Sequence, residues 1–471
     1  MNIINKYKKG LFLTVAALMG MSVFTSCEDE PDKYEVAGGT PTINYIRCLS
    51  SEVKGNNDAE DMHYTNGELV TSASPQSTLC LVGENLRSVY ELYFNDKKAV
   101  LNNSYITDNT LIVDVPKDVP GEVTNKIYMI TQAKDTVAYD FKVIISAPEI
   151  NSMSNEYAEP GSKVTLYGKY IIDDPGTPLQ IVFEDANGNP APVDHSTMSI
   201  ASDFTSVTFT IPENAAEGTI MVGSIYGTSE TAFQYRDTRG MLFDFDGRTG
   251  LGNHGWHARD IKSDEFSITG NYVQLGDGSA TMTEDGGWDD GNFSFEYWPG
   301  NWEDPETYTA VDGRRLNDLV DFTNWQNMSL KFEMYIPKDY PWAAGAMQII
   351  FAGVDKVSYG ATGVSDIYGN TLGGCNNTYF RTKTDGGYDL PRALYRPWTE
   401  TGSYDTGGEW VTVSLPIKSA FTYNFDGTSV NPSFTPEDFA SLTIFVVSGG
   451  VNGTECHPVI KIDNIRVVPN K

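Results

Sequence analysis

Eight tryptophans are the residues of this 471-residue chain whose placement most needs a chemical reason. Trp256, Trp288, Trp298, Trp302, Trp325, Trp342, Trp398 and Trp410 all fall in its second half. Trp325 and Trp410 border alternating apolar runs, Met328 to Ile336 and Val411 to Leu415, and read as core residues at strand edges. Most of the others lie in polar, turn-rich segments: Gly286-Gly287-Trp288-Asp289-Asp290, Tyr297-Trp298-Pro299-Gly300-Asn301-Trp302, Tyr340-Pro341-Trp342 and Arg396-Pro397-Trp398. An indole left in water is unfavourable, and a pyranose offers it a partner. The sugar's apolar C–H face stacks on the ring, while Asn, Asp, Gln and Arg bind the hydroxyls. The competing role for such rings is to pin long loops onto the fold.

Hydrolytic chemistry has weaker support. A glycosidase needs two carboxylates roughly 5–9.5 Å apart, and 63 acidic residues leave that pair open. The Glu-x-Asp-x-Glu strand of laminarinase-type jelly rolls, a Gly-x-Ser-x-Gly elbow and a His-Glu-x-x-His site do not occur. His254 and His257 flank Trp256 as a loop pair expected to face solvent. No catalytic residue is assigned. Asp244, Asp246 and Asp463 could converge as calcium ligands. Loop capping is the preferred role for them, so neither a metal nor a cofactor is assigned. CxxC or His-rich spacing for zinc is absent. Cys48, Cys80, Cys375 and Cys456 allow three pairings. Pairing within domains would give Cys48–Cys80 and Cys375–Cys456, with buried free thiols as the equal alternative.

Charge narrows the ligand. With 33 basic and 63 acidic residues the net charge is −30, which repels nucleic acid and anionic membrane surfaces. Neutral ligands are favoured.

The elements that must position these residues begin after a leader. Lys6, Lys8 and Lys9 precede an apolar run, Leu11 to Met21, that is too short to span a bilayer and has the length of a signal-peptide core. Phe24-Thr25-Ser26-Cys27 resembles a bacterial lipobox, which implies lipidation of Cys27 and a leader of residues 1–27. The acidic run Glu28-Asp29-Glu30 is similar to the signal that sends Bacteroidetes lipoproteins to the outer face of the outer membrane. Residues 28–40 read as a flexible linker.

From Pro41 the pattern is all-β. Two repeats of about 105 residues are expected, residues 41–146 and 147–237. Each opens with Pro-x-Ile (Pro41-Thr42-Ile43, Pro148-Glu149-Ile150) and then carries a β run ending in Gly (Gly83, Gly168) and another ending in Pro (Pro116, Pro212). Ser50 to Ser77 reads as a polar insertion, expected to be a mobile loop. Residues 238–471 fit a larger jelly-roll-like sandwich, with Met241–Gly247 and Ile460–Val468 as neighbouring strands.

The repeats resemble immunoglobulin-like IPT/TIG domains, which usually act as spacers. Leu81-Val82-Gly83-Glu84-Asn85-Leu86, Glu91-Leu92-Tyr93-Phe94-Asn95-Asp96 and Ile106-Thr107-Asp108-Asn109-Thr110 resemble the first domain of surface glycan-binding proteins from Bacteroidetes polysaccharide-utilisation systems. That resemblance implies two tandem immunoglobulin-like sandwiches, then a C-terminal sandwich holding a glycan on loop aromatics. It also implies that Tyr340 and Trp342 belong to the platform with Trp298 and Trp302; the loop position of Trp398 adds it to the set. The expected ligand is a neutral β-glucan of xyloglucan, mixed-linkage or laminarin type, captured without cleavage by residues 238–471 alone. The expected location is the outer membrane, through the lipid on Cys27 and beside an outer-membrane glycan transporter complex. A surface adhesin or assembly subunit, and a jelly-roll glycoside hydrolase, are the alternatives.

Overall fold

The computed structural model describes residues 38–54, 60–299, 314–354, 356–357 and 390–470, without the side chains of 51–66. The chain divides into two compact units at Ile145/Ser146.

In the first unit, the strands Glu60–Val70, Thr42–Lys54, Thr78–Glu84 and Thr110–Asp114 form one sheet in that order. Lys97–Lys98, Val89–Phe94, Lys126–Thr131 and Thr136–Asp140 form the second. Alternation does the folding: Leu79, Leu81, Leu111 and Val113 are buried, as are Leu92, Phe94, Ile127 and Met129, and the residues between them are more exposed. The expected loop after Ser50 is instead a hairpin arm. Lys54 pairs with Glu60, and the ladder continues to Ile46 with Val70. Apolar residues in the arm are few and do not alternate, as Val53, Met62, Leu69 and Val70 show, so the sequence pattern hides it.

The second sandwich opens the second unit. Its sheets are Glu149–Met153, Lys163–Lys169, Ser206–Thr210, Ser199–Ile200 and Pro190–Pro192, Gln180–Glu184, Gly218–Ser224, Gly227–Tyr235. The repeated glycines mark one shared device. At Gly83 a Cβ would fall 1.7 Å from the Thr42 carbonyl oxygen, and at Gly168 it would fall 1.9 Å from that of Glu149. Each sits opposite a register shift just after the Pro-x-Ile start, where only glycine lets the backbones approach.

The last sandwich has two layers. One joins Ile261–Lys262, Tyr272–Leu275, Ile460–Pro469, Met328–Tyr335 and Val411–Pro416, with Met241–Phe243 also paired to Ile460–Pro469. The other is Ser294–Tyr297, Ser441–Val447, Ala346–Ala352 and Ala393–Tyr395. Between them lies a core that includes Phe243, Phe295, Phe332, Met334, Ile349, Phe351, Ile444 and Ile462.

The outer face of the first layer is covered by the second sandwich. Arg466, fully buried, pairs with Glu333 at 2.8 Å and with Glu156 of the second sandwich at 2.8 Å. Lys331 reaches the same Glu156 at 2.6 Å. The Ser154 carbonyl accepts from the Thr412 amide at 3.0 Å, and Tyr157, Tyr272, Tyr335 and Trp410 share an apolar cluster across the joint.

Among the described residues, Cys48, Cys80 and Cys456 form no disulfide with one another. Cys48 pairs with Leu79 and Cys80 with Arg47, so neighbouring register positions put the two thiols on opposite faces of one sheet. Cys375 lies outside the described residues.

Candidate functional site

With the first layer capped, the outer face of the four-stranded layer is the side of the sandwich turned away from the joint. Its strands carry an unusual polar row. Ser294, Glu296, Thr443 and Gln348 occupy outward positions yet are buried beneath loops, and Arg392 donates to Gln348 Oε1 at 3.2 Å. Polar groups buried here rather than in the core show that the face is overlaid by hydrogen-bonding backbone.

Seven of the tryptophans are described, and they divide sharply. Trp325 and Trp410 are buried at strand edges as expected, their indole N–H groups given to Phe434 O and Phe266 O. Trp298, Trp342 and Trp398, expected on an exposed platform, are 1%, 0% and 4% exposed. Their N–H groups bind Thr443 Oγ1, Ala344 O and Gly345 O. A ring so enclosed presents no face to a sugar. The polar, turn-forming residues around these tryptophans belong to the backbone path, and the indoles fill the space under it. Tyr340 is 43% exposed, resting against Gly278. Trp302 and Cys27 lie outside the described residues.

Among the described tryptophans, two are exposed. Trp256 is 59% exposed and Trp288 is 49% exposed. Trp288 stands edge-on to Phe445, an outward residue of the four-stranded layer, with centroids 5.0 Å apart. Trp256 belongs to a segment that lies along the edge strand Ser294–Tyr297, where His254 bridges Tyr297 in parallel. The two loops meet where His257 Nε2 lies 3.2 Å from Asp290 Oδ2.

Both histidines are more engaged than a solvent-facing pair. His254 Nδ1 is 2.6 Å from Trp298 O, and each ring is half-buried. The Glu296 carboxyl beneath them is held above the usual carboxylate range by burial, although the Trp256 and His257 amides it accepts pull it down.

The sequence did carry a signal for the open pair. Gly255 precedes Trp256 and Gly287 precedes Trp288, whereas Pro341 and Pro397 precede the buried Trp342 and Trp398. Glycine brings the backbone close and leaves the ring outside: at Gly255 a Cβ would fall 2.4 Å from that of Glu296.

Asp244, Asp246 and Asp463 act as caps. Asp244 accepts from the Arg248 amide, Asp246 from the Asn271 amide and side chain, and Asp463 from Thr269 Oγ1 and the Asn464 amide. Among the described residues no group of three His, Cys, Asp or Glu side chains is arranged to hold a metal ion.

An all-β molecule, with tandem sandwiches leading to a larger one that exposes aromatic loops, fits the carbohydrate-binding class. Residues 235–469 match the family model of the surface glycan-binding protein B xyloglucan-binding domain. The crystal structure of surface glycan-binding protein PbSGBP-B from Prevotella bryantii is 47% identical, covering 92% of this chain and 100% of that one, with a TM-score of 0.78. An IPT/TIG domain-containing protein of Bacteroides ovatus is 25% identical over 232 residues, which is 46% of this chain and 43% of the relative. The chain thus spans less than half the length of that curated relative. The chain belongs to the surface glycan-binding protein family.

Proposed function

We propose that the last sandwich holds a neutral β-glucan chain, of the xyloglucan kind that the family model names, on the outer side of its four-stranded layer, and does not cleave it. The observation that carries this reading is the pair of open tryptophans, Trp256 and Trp288, on touching loops at that face. Tyr340 is a further candidate contact. Non-catalytic binding is supported by the family, whose model and solved relative are glycan-binding proteins. A net charge of −30 favours a neutral chain over a polyanion. Lipidation of Cys27 would hold the protein on the outer membrane, with residues 28–40 as tether, where captured glycan passes to a membrane transporter.

The test is affinity electrophoresis of the chain from residue 28 onward through gels containing xyloglucan, mixed-linkage glucan, laminarin or an acidic polysaccharide. Retardation by a neutral β-glucan with no new reducing ends is expected. Retardation only by the acidic polymer, or steady release of reducing ends, would contradict the reading.

A further inference from the structure

The segment carrying Trp256 is tied to the sheet far more densely than an exposed loop requires. His254 N donates to Glu296 O at 2.8 Å, and Trp298 N donates to His254 O at 2.6 Å. Asn253 Oδ1 accepts from Glu296 N at 3.3 Å, while Asn253 Nδ2 donates to His257 O at 2.5 Å. Arg259 donates to Ser294 O and to Asp290 O. At the centre, Glu296 Oε2 accepts the backbone N–H groups of Trp256 at 2.5 Å and His257 at 3.3 Å. Glu296 is 4% exposed, whereas the ring it underlies is 59% exposed.

Burying a carboxylate is unfavourable unless hydrogen bonds compensate it. Here the compensating donors are Ser294 Oγ and the two amides beneath an open indole. Fixing that backbone removes the ordering that a ligand would otherwise have to impose.

We propose that Glu296 is a positioning residue for glycan binding: it fixes the backbone at Trp256 and so presents the indole, already oriented, to one sugar ring. Gly255 permits the close approach, and the His257–Asp290 and Arg259–Asp290 contacts tie the same segment to the loop of Trp288. The proposal rests on the reading of this face as the glycan site, and the test separates the two.

Soluble xyloglucan is titrated into the chain from residue 28 onward and into Trp256→Ala, Glu296→Gln and the double variant, with melting temperatures recorded alongside. Trp256→Ala should weaken binding about 30-fold and Glu296→Gln about 5- to 10-fold. In the Trp256→Ala background Glu296→Gln should change affinity by less than about 2-fold, because it acts through that ring. Unchanged binding by Glu296→Gln, or equal weakening in both backgrounds, overturns the positioning role and leaves the site standing. Full affinity in Trp256→Ala contradicts the site itself. Should Glu296→Gln fail to fold, Asn253→Ala loosens the same segment. Binding must then fall by about 3-fold or more, and unchanged affinity overturns the proposal.

Discussion

At the scale of single residues, Trp342 and Trp256 differ in what an alanine would take away. Trp342 is fully enclosed and its N–H is bound by Ala344 O, so Trp342→Ala should lower stability by about 3–5 kcal/mol, read as a lower urea midpoint. Asp463 makes a separate claim. Burial, chiefly, pushes its carboxyl up to about 8, with Glu333 and Asp246 nearby adding to the effect. Over the range from the ordinary carboxylate pKa near 4 up to about 8, the folded chain therefore holds a proton that the unfolded chain has released. Stability from this group is present at low pH and is lost as pH rises through about 8. Asp463→Asn should flatten that loss, so its urea midpoint should vary less than the parent's between about pH 5 and 9; an identical pH slope would contradict it. The presence of loop aromatics was legible in the sequence, but which of them stay open was not. Burial depends on the loop's path, and a proline or glycine one residue earlier hints at that path without setting it.

Among the elements, the joint between the second and last sandwiches is where a buried ionic group does the joining. Glu156, almost wholly buried, faces both Arg466 and Lys331. Glu156→Ala would leave two buried cations with Glu333 as the remaining carboxylate of the cluster. About 3 kcal/mol or more of stability should be lost, measured by denaturant unfolding. An unchanged midpoint would mean the pairs contribute nothing. This joint was invisible in the sequence because Glu156 and Arg466 stand 310 residues apart, and no period links them. The repeats were legible because Pro-x-Ile and the distant glycine, Gly83 or Gly168, are bound to one backbone geometry. The hairpin through Glu60–Val70 escaped notice for the opposite reason: strand pairing there leaves no apolar alternation to read.

For the whole molecule, Ser146–Lys471 forms one compact unit, so the second sandwich is more than a spacer for the glycan domain. A fragment beginning at residue 238 would lack Glu156 and Tyr157 and would uncover Tyr335 and Trp410. It should unfold at lower denaturant than residues 146–471, and comparable midpoints would show the last sandwich to be self-sufficient. Binding itself should remain with residues 146–471 and be absent from residues 38–145. The most direct measurement is calorimetric titration of soluble xyloglucan into the 146–471 fragment and its Trp256→Ala, Trp288→Ala and Trp342→Ala variants, each with its melting temperature. A sugar covering one indole face hides on the order of 100 Å², roughly 2.5 kcal/mol or nearly a hundredfold in affinity. Trp256→Ala and Trp288→Ala should each lose about 30-fold or more in affinity at an unchanged melting temperature, while Trp342→Ala should lose stability first. Full affinity in both open-ring variants, with affinity lost in a normally stable Trp342→Ala, would place the glycan elsewhere.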